Sequence, residues 1–167
     1  KLVIGKGSAL GTTTHMAFDT NGIITKPLQP CFIVSPSSNS AAIAADTTHT
    51  IVAATEIQDI NGDWDGTSTF TAPVNGTYLF THQINVASFD HDNNYSAIFI
   101  LAGGRRYTTW MNPSGAFVVD GGYFFSGAAI ADMDASDTCV FQFRNDQGAQ
   151  QPVINQEFTF LQGWLLG

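Results

Sequence analysis

Any chemistry in this 167-residue chain would have to be built from four histidines, two cysteines and fourteen carboxylates. The histidines, His15, His49, His82 and His91, are scattered. None is spaced i, i+4 for a metal-binding helix or sits beside a cysteine. His82 shares a strand face with Tyr78 and Phe80, which suits a satisfied core or interface histidine. Cys31 and Cys139 lie far apart, without C-x-x-C spacing or a histidine to complete a zinc site. They read as two buried, apolar thiols and do not fix a redox compartment. There is no G-x-S-x-G. Ile4-Gly5-Lys6-Gly7-Ser8 has neither the spacing nor the following helix of a phosphate loop. Arg105-Arg106 reads as a solvated pair beside a turn. With no nucleophile–base pair and no metal constellation, the chain does not read as an enzyme.

Carboxylates gather at Asp90-His91-Asp92-Asn93-Asn94 and at Asp132-Met133-Asp134-Ala135-Ser136-Asp137. Crowded loop oxygens can hold Ca2+, and Asp90 and Asp92 are the candidate ligands. Neither segment has EF-hand spacing, and Asp/Asn-rich turns also arise for backbone reasons alone. No cofactor other than that ion is expected. Nothing in the sequence sets two carboxylates on either side of a sugar, as glycoside hydrolysis requires.

The elements that position these residues are strands. Hydrophobic residues make up 44% of the chain, ample for one core, while charged residues are only 12%, about half the usual share. A surface built from Ser, Thr, Asn, Gln and Gly does not belong to helices, and thirteen phenylalanines argue against disorder. A net charge of −8 with six basic residues excludes nucleic-acid binding by phosphate neutralisation. No apolar run approaches the ~20 residues of a membrane helix, so no membrane insertion is expected. Apolar residues recur with a period of two. Tyr78, Phe80, His82, Ile84 and Val86 share a face, as do Cys139, Phe141 and Phe143; Tyr95 to Leu101 is a further apolar strand. Turn clusters separate the runs at Asn61-Gly62, Pro73-Val74-Asn75-Gly76, Gly103-Gly104, Asn112-Pro113-Ser114-Gly115 and Asp146-Gln147-Gly148. The pattern predicts an all-β sandwich of two antiparallel sheets with no substantial helix. Thr25-Lys26-Pro27-Leu28-Gln29-Pro30 forces an extended passage. It divides an N-terminal arm or shaft end, residues 1–29, from a globular head, residues 30–167.

The segment Phe70-Thr71-Ala72-Pro73-Val74-Asn75-Gly76-Thr77-Tyr78-Leu79-Phe80 resembles the F-x-x-P-x-x-G-x-Y-x-F signature of the C1q/TNF-like jelly-roll family. Pro73 has no N–H to leave unpaired at a strand end, Asn75-Gly76 offers a turn where positive φ is cheap, and Tyr78 and Phe80 point together into a core. Pro30 to Val34 resembles the family's first strand. Met133 to Val140 resembles its L-x-x-G-D-x-V turn, with Ser136 in place of the glycine. Leu161-Gln162-Gly163-Trp164-Leu165-Leu166 resembles its closing F-S-G-F-L-L strand. Residues 1–29 have no collagen-like Gly-X-Y repeat. Instead His15 to Pro27 resembles a segment that precedes C-terminal head domains in structural proteins of tailed bacteriophages.

These resemblances imply a C1q-like jelly roll assembled as a homotrimer. The closing strand is apolar on both faces, with Phe158, Phe160, Trp164 and Leu166 on one side and Leu161 and Leu165 on the other. A strand with one solvated face alternates with polar residues, so the four outer residues are the expected trimer interface. The implied role is that of a virion structural protein: the head of a tail fibre, spike or capsid appendage outside the particle. Its expected partners are two further copies, other virion proteins and a host cell-surface glycan or protein. The alternatives are a trimerising cap with no host ligand, or a secreted C1q-like lectin or adhesin. The family's strand order would place the connections at Pro73–Gly76, Gly103-Gly104 and Asp134–Ser136 beside the shaft. The longer loops 35–48, 88–94, 112–116 and 144–152 would then lie at the distal end, with Tyr95 and Trp110 at their borders. Amides and carboxylates beside aromatic faces suit sugar hydroxyls. Asp90, Asp92, Asn93, Asn112, Asn145 and Asp146 are the expected ligand group.

Overall fold

The computed structural model describes residues 2–6, 13–146 and 150–167. Three short strands, β1 (Leu2–Lys6), β2 (Thr13–Phe18) and β3 (Ile24–Thr25), form an antiparallel sheet within the arm. The turn between β2 and β3 is fixed by Asp19, whose carboxylate accepts the N–H groups of Asn21 and Ile23 at 2.8 Å. Gly22 there takes a φ of +80°, a region nearly strain-free only for glycine.

The remaining strands pack as two antiparallel sheets face to face. One has the order β11 (Gly121–Met133), β8 (Gly76–Phe89), β14 (Phe160–Leu165), β4 (Cys31–Ser35), β6 (Thr55–Ile60), with β13 (Val153–Ile154) paired to the end of β8. The other has the order β10 (Arg105–Met111), β9 (Ser96–Ala102), β12 (Thr138–Asn145), β5 (Thr47–Thr50), with β7 (Thr69–Thr71) also paired to β12. The expected sandwich of two antiparallel sheets is therefore present, and both predicted inward faces are buried. Tyr78, Phe80, His82, Ile84 and Val86 face inward from β8, and Cys139, Phe141 and Phe143 from β12. Between the sheets Phe32 stacks on Trp64 and Phe70 at centroid distances of 5.1 and 5.0 Å, and Phe70 meets the Tyr78 ring edge-on. The polar tips of Trp64 and Tyr78 are satisfied. Trp64 Nε1 donates to the Ala53 carbonyl at 3.0 Å, and Tyr78 Oη to that of Val74 at 2.9 Å. Both cysteines are free and buried, as expected.

Local details depart from the sequence reading at two turns. Gly76 was expected to supply positive φ, yet it is not in the left-handed region. Its requirement is space, since a Cβ there would lie 2.6 Å from Leu165 Cδ1. The cluster at Asn112 winds into one helical turn, α1 (Pro113–Ala116), closed by the Phe117 N–H on the Pro113 carbonyl at 2.9 Å. Proline's fixed φ preorganises such a first turn. Gly163 on β14 is needed for packing, because a Cβ would meet the Phe32 ring at 2.4 Å.

The arm's exit is stitched to the head. Gln29 Nε2 donates to the Leu165 carbonyl, the Leu165 N–H donates to the Pro30 carbonyl at 3.0 Å, and Asn61 Nδ2 donates to the Leu28 carbonyl at 3.2 Å. The C-terminus lies at the same end, where the Thr77 N–H reaches the Gly167 carbonyl. The turns at Asn75 and Ser136 meet there too: Asn75 Oδ1 accepts the Ala135 N–H, and the Ser136 N–H donates to the Ala72 carbonyl.

Candidate recognition end and assembly face

At the opposite end the long loops are laced together. The N–H groups of Ser40, Ile43 and Asp46 donate to the carbonyls of Ile154, Pro152 and Asp146. The six residues expected to contact ligand divide into two kinds. Asp90, Asn93 and Asn145 are buried. Asn93 Nδ2 donates to Asn145 Oδ1 at 2.8 Å and to Ser96 Oγ at 3.0 Å, and Asn145 Nδ2 to the Ile43 carbonyl at 3.3 Å. Asp90 accepts the Asp92 N–H at 2.9 Å and the Gln150 N–H at 3.1 Å. These three side chains hold the loops in place. Asp92 and Asn112 are exposed and Asp146 is half-buried.

His91 and Asp120 do meet. His91 Nδ1 lies 2.8 Å from Asp120 Oδ1 and Nε2 lies 3.2 Å from Asp92 Oδ1, so one imidazole joins two loops. The hydrogen bond to Asp120, with the surrounding carboxylates, raises the His91 pKa, and the same bond lowers that of Asp120. Asp90 completes a group whose candidate ligand atoms lie within 4.8 Å of one another. One imidazole and two carboxylates is a softer donor set than the all-oxygen cage preferred by Ca2+, and Asp92 is not a member. Asp120 was not singled out in the sequence because its partner lies 29 residues away in another loop.

His82 lies in the core. Burial lowers its pKa to about 4, and a marginal backbone hydrogen bond at Phe125 offsets part of that shift. Among the described residues neither ring nitrogen has a well-formed partner, so the expectation of a satisfied histidine is corrected. Gly127 crowds the imidazole, for a Cβ there would lie 2.8 Å from His82 Nε2.

The outer face of the β11–β8–β14–β4–β6 sheet carries an apolar row. Ile130, Leu79, Trp164 and Cys31 stand in register across four adjacent strands. Phe160 and Gln162 share the face of Trp164, and the Thr81 hydroxyl donates to Gln162 Oε1 at 3.1 Å. Phe124 and Phe158, both exposed, meet edge-on with centroids 5.9 Å apart. Of the four residues expected at a trimer interface, Phe160 and Trp164 are half-buried on this face, while Phe158 and Leu166 are exposed at the strand's two ends. On the opposite face Leu161 is fully buried and Leu165 packs against the core.

No family model and no curated protein matches the chain. Among solved structures, the chain is similar to the globular domain of zebrafish complement 1qA protein, with a TM-score of 0.59 and 15% identity over 83% of this chain and 98% of that one. It is also similar to murine APRIL at pH 8.0, with a TM-score of 0.57 and 11% identity over 83% of this chain and 99% of that one. The fold is thus a C1q/TNF-like jelly roll.

Proposed function

We propose that the chain is the head of a homotrimer that attaches a tailed-phage virion, through a fibre, spike or capsid appendage, to a glycan or protein on the host surface. The observation that carries the trimer is the row Ile130–Leu79–Trp164–Cys31 on the outer sheet face. Contiguous apolar surface of this kind marks a protein interface, and the jelly-roll family that the chain resembles forms trimers. The virion assignment is supported by the arm segment His15 to Pro27. Three copies of one weak site convert modest affinity into avidity, so strong attachment does not require a deep pocket.

Light scattering tests the assembly. The intact protein is expected at about 54 kDa, three times the chain mass of 17.9 kDa, and Trp164→Asp should release lighter species because a charge buried between copies is uncompensated. A monodisperse wild-type species of about 18 kDa overturns the trimer. Staining of candidate host cells with the labelled trimer tests attachment. Assembly without staining of any host leaves the trimerising cap as the better reading.

A further inference from the structure

The outer face of the second sheet carries a second cross-strand row. Trp110 on β10 and Arg144 on β12 are both in register with Ala97 on β9 between them. Ala97 is buried although it lies on the outer face. Tyr95 links the two flanking residues: its ring stacks on Trp110 with centroids 6.0 Å apart and planes 27° apart, and its side chain is near enough to Arg144 to raise the guanidinium pKa. Arg144 is further fixed by Asp46 Oδ1 at 3.1 Å and Asp146 Oδ1 at 3.4 Å. Trp110 nevertheless remains 60% exposed, on an edge strand whose one neighbour is β9.

We propose that this row is a carbohydrate platform for a neutral hexopyranose residue, which stacks a C–H face on Trp110 and turns hydroxyls toward Arg144 and Asp146. The inference rests on the attachment reading above and names the site and sugar class it would use. A rigid aromatic surface with few rotamers to lose is suited to a flat ligand. The charge selects the class. Arg106 lies on the same face but is held over the Phe99 ring at 4.8 Å, and at the Trp110 end two carboxylates on one guanidinium leave a net negative charge, in a chain of net charge −8, so an anionic sugar meets repulsion there. A guanidinium and carboxylate held side by side offer donors and acceptors to neighbouring hydroxyls.

The test titrates the intact protein with methyl β-D-galactopyranoside, methyl β-D-glucopyranoside, methyl α-D-mannopyranoside and methyl α-N-acetylneuraminate, read by saturation-transfer NMR. At least one neutral glycoside should bind, and Trp110→Ala should weaken it about tenfold, equivalent to about 1.4 kcal/mol, with the trimer mass unchanged. Trp110→Tyr should retain part of the binding. Absence of binding by all three neutral glycosides, equal binding by Trp110→Ala, or preference for the neuraminate overturns the platform. Cell staining separates the two proposals. Staining that survives Trp110→Ala without glycoside binding overturns the platform and leaves attachment standing. Glycoside binding by a head that stains no host overturns attachment and leaves the platform standing.

Discussion

Asn93 and Asn145, 52 residues apart, form a buried amide–amide clasp of 2.8 Å that joins the loop after β8 to the end of β12. Each amide also serves a second partner, Ser96 Oγ for Asn93 and the Ile43 carbonyl for Asn145. Asn93→Ala should therefore cost about 1–3 kcal/mol, since it strands a buried acceptor. Asp92→Ala and Asn112→Ala, at exposed positions, should change stability by less than about 0.5 kcal/mol. Urea titration of the three variants decides the matter, and equal midpoints would refute the clasp.

His91 should titrate above the ordinary histidine range, because both of its ring nitrogens face carboxylates. Asp120→Asn removes the strongest of these contacts and should move the His91 pKa down toward 6.5, the unperturbed value. A proton NMR titration of the ring reports this directly.

His82 should make the head acid-sensitive. Its folded pKa of about 4 lies below the ordinary 6.5, so the unfolded chain takes up the proton first as pH falls. The stability held at this position is complete above about pH 6.5, declines as pH falls toward 4 and levels off below that, a loss of about 3 kcal/mol. His82→Leu should flatten the stability profile between those pH values, as followed by thermal melts.

Ser136 holds a φ of +77°, the left-handed conformation for which the resembled motif uses glycine. Ser136→Gly should relieve strain and raise stability by about 1 kcal/mol, seen as a higher melting temperature. An unchanged or lower value would show that the serine side chain compensates for the strain.

Much of this architecture was legible in the sequence because a period of two depends only on neighbouring residues. The inward faces of β8 and β12 could be named from alternation, and Pro30 to Val34 and the closing strand from their resemblance to the family's motifs. The short strand Thr47–Thr50 is polar and carries no such signal, and Thr69–Thr71 is only three residues long, with Phe70 its one inward residue. The loop end opposite the arm was the least legible. Asp90, Asn93 and Asn145 are residue types that usually face water, and only contacts from distant loops make them interior. The same limit hid Asp120 from His91, and Arg144 from Trp110, which are aligned across β9 by its register rather than by spacing along the chain.

The stitching of Gln29 and Pro30 to Leu165 has a mechanical consequence. Tension entering through the arm reaches β4 at Cys31, and β4 lies between β14 and β6 with antiparallel ladders on both sides. A load resisted at the far loops runs along β4 and shears both ladders at once instead of peeling hydrogen bonds apart one by one. A pull through residues 1–29 would thus load an interior strand, a geometry that resists unravelling.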